Sequence, residues 1–368
     1  DWSSDVCSSD LSSMQAVAHG SNSVQYFQFR KSRGSCEKFH GAVVDHVGNS
    51  GPYDFVRTEN TRVFKDVQQV GAALREMNAR GDVYGTAVKP QVAIVYDVEN
   101  RWALDAAAGP RNKDKDEKYV ETLLKHYRPF WDAGVQVDIV DMDGDISGYK
   151  LVVAPMLYMY RAGFEQKMRA FVENGGTLVT TYWSGIVDES DLCRLGGVPG
   201  GMMDVFGVWN EEIDSLPDGV KNSVAMDGRS YDAFELCARI HPITAEVLGT
   251  YEKDFYAGEP AVTKNRFGSG AAYYIAARTG TDLLADLYGG LISALGIARA
   301  IDTALPAGVT AHERIGENGA VVFVENYNNA EETVELPGGY ELYGTGERVN
   351  SIKLAPFGVA VLSKLTKI

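Results

Sequence analysis

Cysteine is scarce in this chain, with four in 368 residues at positions 7, 36, 193 and 237, and no two of them form a C-x-x-C pair. That spacing offers no zinc framework of the finger or ribbon kind. Such sparse use suits a reducing compartment, so the cytoplasm is the expected location and neither metal nor organic cofactor is expected. No run of about 18 apolar residues occurs, and no basic start followed by an apolar stretch, so neither a transmembrane span nor a secretory leader is read. Cations are in deficit: 35 Lys plus Arg against 50 Asp plus Glu give a net charge of -15. A partner made of phosphates needs the opposite balance, which argues against nucleic acid and against an anionic membrane surface. Nucleotide cradles are missing as well. No G-x-G-x-x-G follows the strand-like stretch at 91–97, and no Walker A pattern occurs. There is no repeat at solenoid periods and no low-complexity linker.

What is present reads as globular protein. Hydrophobic residues make up 45% and charged residues 23%, so a packed core is expected, and the length allows two or three domains. The first eleven residues, DWSSDVCSSDL, are rich in Ser and Asp, show no periodicity and meet the following sequence abruptly. They read as a sequencing artefact and are set aside with Trp2 and Cys7. On that reading the natural protein continues upstream.

From residue 12 onward the pattern changes twice. VQYFQF at 24–29 and GAVV at 41–44 have strand composition, and a Gly/Pro/Asn-rich connection follows at 47–54. A helix is then predicted from Asn60 or Thr61, with Val63, Val67, Val70, Leu74 and Met77 at three- and four-residue steps and Gly81 as its stop. Strand, loop, strand, helix is what the C-terminal end of a TIM (β/α)8 barrel looks like, over 12–88. After Lys89 and Pro90 the expected order is a strand at 91–97, a loop with Gly109 and Pro110 and a charge run at 111–118, and a helix carrying Tyr119 to Trp131. Strands at 135–141, 149–157 and 177–183 follow, with a helix of Phe164, Met168, Phe171 and Val172 between the last two. The stretch at 271–277 and a Leu-rich helix at 282–295 keep the α/β character to about 303. This alternation implies a parallel sheet covered on both faces, of the flavodoxin or class I amidotransferase kind. From 304 to 368 only short strands and turns are seen, which predicts a small antiparallel β-domain of β-sandwich type.

Glu37 is the candidate reacting group. It stands in a loop after an aromatic strand, among Arg30, Lys31, Arg33 and Lys38, which would hold it ionised. A carboxylate at the C-terminal rim of a barrel suits a nucleophile or base. By residue type alone, a surface ion pair is the plainer reading. The α/β region offers no rival nucleophile. The turn after 177–183 reads Ser184, Gly185, with Tyr182 where a G-x-S-x-G elbow needs Gly, and no Cys. The acid run at 210–218 reads as a solvated loop, with metal binding by Glu211, Glu212 and Asp214 the sharper alternative.

YFQFRKSRGSCEKFHGAVV, at 26–44, resembles a segment of the glycoside hydrolase family 42 β-galactosidases. NTRVFKDVQQVGAALREM is similar to that family's last barrel helix, and VAIVYDVENRWAL to the start of its second domain. The stretch from LVVAPMLYM through TLVTTYWSGIVDESD resembles the rest of that domain, and VVFVENYNNAEETVELP its small C-terminal domain. The order of segments extends over 12–368. The resemblance implies retaining hydrolysis of terminal non-reducing β-D-galactose residues from β-D-galactosides, a galactoside substrate, and a homotrimer formed through the α/β domain at 89–303. It gives Glu37 the nucleophile's role. The acid/base is then a Glu following Asn on an earlier barrel strand, and no such segment precedes Glu37, so this chain alone is expected to be inactive. Asn210 and Glu211 fall in the second domain and are taken as coincidence. Asp45 and His46 are expected to line the galactose pocket. For His46 a backbone hydrogen bond is the plainer alternative; for His40 the choice is between orienting Glu37 and simple packing. Trp102 reads as an interface anchor before a sugar platform, and Arg30 and Arg33 as setting the loop's conformation. A non-catalytic assembly or binding module is the alternative function, and an amidotransferase-like enzyme a further one.

Overall fold

The structure, a computed structural model, describes residues 9–48, 53–107, 109 and 118–365. Trp2, Cys7, residues 49–52 of the Gly/Pro/Asn-rich connection, Pro110 and most of the charge run at 111–118 lie outside the described residues. The early elements are α1 (Ser9–Ala18), α2 (Arg62–Arg80), β1 (Val92–Val95), α3 (Val98–Ala106) and α4 (Lys118–Asp132). Next come β2 (Val137–Val140), β3 (Leu151–Ala154), α5 (Phe164–Glu173), β4 (Thr177–Thr181) and α6 (Met203–Phe206). Then follow β5 (Val208–Ser215), β6 (Lys221–Met226), β7 (Arg229–Pro242), β8 (Glu246–Tyr251), β9 (Pro260–Phe267), β10 (Gly270–Ile275), β11 (Ala277–Thr279) and α7 (Thr281–Ala294). The last strands are β12 (Val309–Gly316), β13 (Gly319–Asn326), β14 (Glu332–Leu342), β15 (Glu347–Leu354) and β16 (Val359–Lys364). Two compact units result: one of residues 1–89, 131–136 and 299–368, the other of residues 90–130 and 137–298.

In the first unit the five-stranded antiparallel sheet runs β12-β13-β16-β14-β15. Along β13 the side chains alternate as a strand requires. Val322 and Val324 join Val309, Ala311, Val334, Ile352 and Leu362 on one face. Val321 and Phe323 join Met14, Val17 and Ala18 of α1 and Met77 of α2 on the other. The layer over that second face is helical, where a β-sandwich would place another sheet. Gly338 and Gly339 lie inside β14 at φ 87 and 78. They form a bulge, across which the pairing with β15 shifts register. Helix α1 takes in Ser9, Asp10 and Leu11, the end of the string set aside, and Leu11 is buried. Helix α2 keeps its predicted signals. The Thr61 side chain accepts from the Phe64 amide, and Gly81 closes the helix at φ 76.

One side chain ties these layers together. Arg314, on β12, is 1% exposed. Its Nη1 donates to the carbonyls of Val17 and Ser21 at 2.7 Å each. Its Nη2 donates to Asn22 Oδ1 and to the Val83 carbonyl at 2.8 Å, and its Nε to Thr86 Oγ1 at 2.8 Å. The acceptors include the C-terminal end of α1, where the helix dipole favours a cation.

The stretches 24–29 and 41–44 are not strands. They are joined by one parallel bridge, Arg30–Val44, and by the Val43 and Val44 amides donating to the Gln28 and Phe29 carbonyls. Among the described residues no third strand joins this pair, and a two-stranded pair without a covered face is marginal on its own.

The second unit is one 11-stranded sheet. Strands β2, β1, β3, β4 and β10 are parallel neighbours, each running into a helix or loop as the sequence pattern implied. The expectation of an α/β pattern throughout fails between β4 and β10. There β5 to β9 extend the sheet in antiparallel fashion, beginning at the β10–β9 pair. The acid run at 210–218 is therefore no loop. Its first six residues form most of β5, and the acids escape mutual repulsion through cross-strand partners. Arg239 on β7 bonds Glu212 at 2.7 Å, His241 bonds Glu211 at 2.6 Å, and Asp214 accepts from Tyr256 at 2.8 Å.

Two outcomes are expected. Arg314→Met, which leaves three buried carbonyls without their donor, should cost about 3–5 kcal/mol in urea unfolding and expose 9–18 to proteolysis. Arg314→Lys should recover only part, since an ammonium has three donors and no planar fork. An Arg314→Met variant as stable as the parent would contradict this. The second concerns His126 on α4, buried and bonded through Nδ1 to Tyr288 on α7. Burial, with a smaller push from Lys125, brings its pKa down to about 3. The imidazole is therefore neutral when folded, whereas the unfolded chain takes up a proton below about 6.5. Stability should be full above that value and fall by up to ~1.4 kcal/mol per pH unit toward pH 3. Urea midpoints at pH 7 and pH 5 should separate further in the parent than in His126→Gln; equal separations would refute the assignment.

Candidate active-site turn

The sequence-predicted site residues share one short segment. Its frame is the parallel pair, in which the Val44 amide donates to the Phe29 carbonyl at 2.7 Å and the Lys31 amide to Val44 at 3.0 Å. Between these two stretches the chain makes a 3-10 turn over Cys36–Phe39. Ser35 leads into it at φ 58, a left-handed conformation in which non-glycine residues are uncommon. The turn closes where the His40 amide donates to the Glu37 carbonyl at 3.0 Å.

Glu37 sits on this turn with its side chain exposed. The four neighbouring cations do not hold it, contrary to the expectation from their proximity in sequence. Lys31 pairs with Asp45 at 3.2 Å, and Lys38 lies over the Phe39 ring at 5.2 Å. Arg30, Lys31 and Arg33 instead line a hollow of about 260 Å³ together with Asp45 and His46, and Glu37 is not part of its wall. The structure thus brings Asp45 and His46 together and leaves Glu37 beside them on the turn. Burial raises the Asp45 carboxyl, but the hydrogen bond and charge of Lys31 and the amides of His46 and Val47 outweigh it, so its pKa is lowered. His46 Nε2 lies 2.7 Å from the Ser32 carbonyl. A carbonyl can only accept, so this nitrogen carries the proton and the ring is fastened to backbone. Phe27, Phe29 and Phe39 around the segment are 77%, 67% and 77% exposed.

Among the described residues, the turn after β4 offers no free nucleophile. Trp183 follows β4 at φ 58, the position of a strained elbow. Ser184 beside it is buried, accepts from the Leu157 amide at 3.2 Å and bonds Thr180 Oγ1 at 2.9 Å. Cys237 is buried, and burial pushes its thiol up to about 12, which makes it inert near neutrality. Trp102 projects from α3, 65% exposed. Among the described residues no three His, Cys, Asp or Glu side chains are grouped to hold a metal ion. No helix there is long and apolar enough to cross a membrane. Sequence reasoning placed Arg30 and Arg33 near the site but missed the hollow they border, because the pairing of 28–31 with 43–44 that forms it leaves no periodic signal.

Three family models match in order: β-galactosidase over 7–77, the β-galactosidase trimerisation domain over 90–298, and the β-galactosidase C-terminal domain over 308–364. The β-galactosidase Pbg of Clostridium perfringens is 50% identical over 364 residues, covering 96% of this chain and 51% of the relative. BglY of Alicyclobacillus acidocaldarius is 47% identical over 96% of the chain. Among solved structures, the β-galactosidase of Rahnella sp. R3 superposes with a TM-score of 0.89 at 46% identity, over 97% of this chain and 51% of that one. A catalytic mutant of Gan42B, a family 42 β-galactosidase of G. stearothermophilus, gives 0.90 at 42% identity. The chain spans about half the length of the curated relatives it matches. It carries the end of a TIM barrel, the α/β trimerisation domain and the small antiparallel β-domain in family order, and it belongs to glycoside hydrolase family 42.

Proposed function

We propose that the full-length protein is a β-galactosidase that releases terminal non-reducing β-D-galactose from β-D-galactosides with retention of configuration. It works as a homotrimer in the cytoplasm, without an organic cofactor. The observation that carries this reading is the unbroken match to β-galactosidases over 96% of the chain. An assembly module without catalysis is not favoured, because the barrel segment is matched along with the other two.

Retention needs two carboxyl groups about 5–5.5 Å apart, one attacking the anomeric carbon and the other protonating the leaving oxygen, then activating water. In the proposal Glu37 is the attacking carboxylate, its acid/base partner comes from an earlier barrel strand, and Asp45 and His46 lie at the edge of the galactose pocket. Residues 1–368 alone then have no turnover. A second reading is favoured by one observation: Glu37 lies on a 3-10 turn inside a loop, and barrel enzymes place reacting groups at strand ends. In that reading Glu37 accepts hydrogen bonds from sugar hydroxyls, and the nucleophile lies elsewhere.

In the full-length protein, Glu37→Gly should lower kcat on an activated aryl galactoside by about a thousandfold or more, with azide restoring turnover as the α-galactosyl azide. A raised KM with little change in kcat and no azide rescue would assign Glu37 to sugar binding. Wild-type values of both would remove it from the site. Because the exposed side chain has no ion pair among the described residues, Glu37→Gln should shift stability by no more than about 0.5 kcal/mol, so any loss of activity is not a loss of fold.

A further inference from the structure

The hollow beside the Glu37 turn has a charge opposite to that of the molecule. The chain as a whole has 50 acids to 35 cations. The wall of the hollow has Arg30, Lys31 and Arg33 against one acid, Asp45. That acid is already committed to Lys31 at 3.2 Å. The guanidinium groups of Arg30 and Arg33 make no ion pair among the described residues, although five N–H donors each are available. His46 is fixed through Nε2 to the Ser32 carbonyl and closes one side of the wall, while the donors come from the two guanidinium groups. The backbone is held as well. Arg30 and Val44 form the bridge of the parallel pair, so Arg30, Lys31, Asp45 and His46 are set by one ladder and not by a free loop. A volume of about 260 Å³ is small for a whole organic ligand and suits one compact group. Paired guanidinium forks match the oxygen edges of a tetrahedral anion.

From this we propose that the hollow formed by Arg30, Arg33 and His46 binds a small tetrahedral oxyanion, phosphate being the fitting chemistry, either free or carried on a sugar. The Lys31–Asp45 pair sets the rim and lowers the net charge so that the anion can leave. The site is independent of the chemical role of Glu37.

Titration of this chain at low ionic strength, followed by calorimetry, tests it with inorganic phosphate and with galactose 6-phosphate as separate probes. Saturable binding near the millimolar range is expected, weakened about tenfold or more in R30Q/R33Q. Binding should be unchanged in R62Q/R80Q, whose guanidiniums already pair with Asp66 and Glu76. Asp45→Asn should tighten binding by freeing Lys31, a gain that misfolding cannot mimic. Glu37→Gln should leave phosphate affinity as it is, so failure of the catalytic reading would not touch this one. Tighter binding of galactose 6-phosphate than of phosphate identifies a sugar-borne anion; equal binding identifies the free ion. Absence of saturation in the parent, or equal affinity in R30Q/R33Q, overturns the proposal.

Discussion

The first unit depends on a charge buried without a counter-ion. Arg314 is almost wholly enclosed, and every acceptor around its guanidinium among the described residues is neutral: three carbonyls, an amide oxygen and a hydroxyl at 2.7–2.8 Å, and the Thr86 carbonyl at 3.5 Å. Removing a guanidinium from water is costly, and the cost is offset only when its donors are matched by fixed dipoles. Here the match requires the end of α1, the chain at 83–86 and strand β12 to be in place together. The apolar layer of Met14, Val17, Met77 and Phe323 supplies the area that makes this packing favourable. The guanidinium supplies its register, because an apolar layer alone would tolerate sliding.

The second unit has an analogous centre with a different consequence. The carboxyl ends of β1, β3 and β4 are where an open α/β sheet places a ligand. In this protein polar groups there bond to one another, although Arg161 Nε is left without an acceptor among the described residues. Asp97 accepts from Arg161 at 2.9 Å and from the Asn100 amide at 3.0 Å. Asn100 then spans the Met156 carbonyl and the Met159 amide. Arg278, 4% exposed, donates to Tyr182 at 2.9 Å and pairs with Glu235. Met156, Trp183 and Glu235 all have positive φ. Left-handed non-glycine residues persist only where packing over-determines them, and Gly109 packs so closely on Trp183 that a Cβ would lie 2.5 Å from its ring. The crevice is thus filled by protein, in keeping with a scaffold whose surface, and not its strand ends, carries its role.

The site region contrasts with both centres. Its residues are exposed or half-buried and held by a few backbone hydrogen bonds, and the one acid in the wall of the hollow is paired. Residues kept available in this way contribute little to stability, which is the usual condition of groups that meet a ligand. The rings of Phe27, Phe29 and Phe39 in the same segment are exposed as well.

Local chemistry was legible in the sequence. Thr61 and Gly81 bound α2, the apolar runs of β1, β3 and β4 are buried along their whole length, and Gly175 follows α5. Each of these is decided within a few residues by capping, period or the permissiveness of glycine. The order of segments also disclosed the family. Pairings between distant residues were not legible. Acids at 210–218 look like a loop until Arg239, His241 and Tyr256 arrive across the sheet. VQYFQF has strand composition but lacks neighbours to complete a ladder. Four cations near Glu37 in sequence turn to Asp45, to Phe39 and to a hollow instead. The chain by itself determined α2, α5 and the buried strands β1, β3 and β4, because those energies are local. Only the tertiary structure decided which charges meet, because a side chain's partner is set by where the backbone folds and not by how far along the chain it lies.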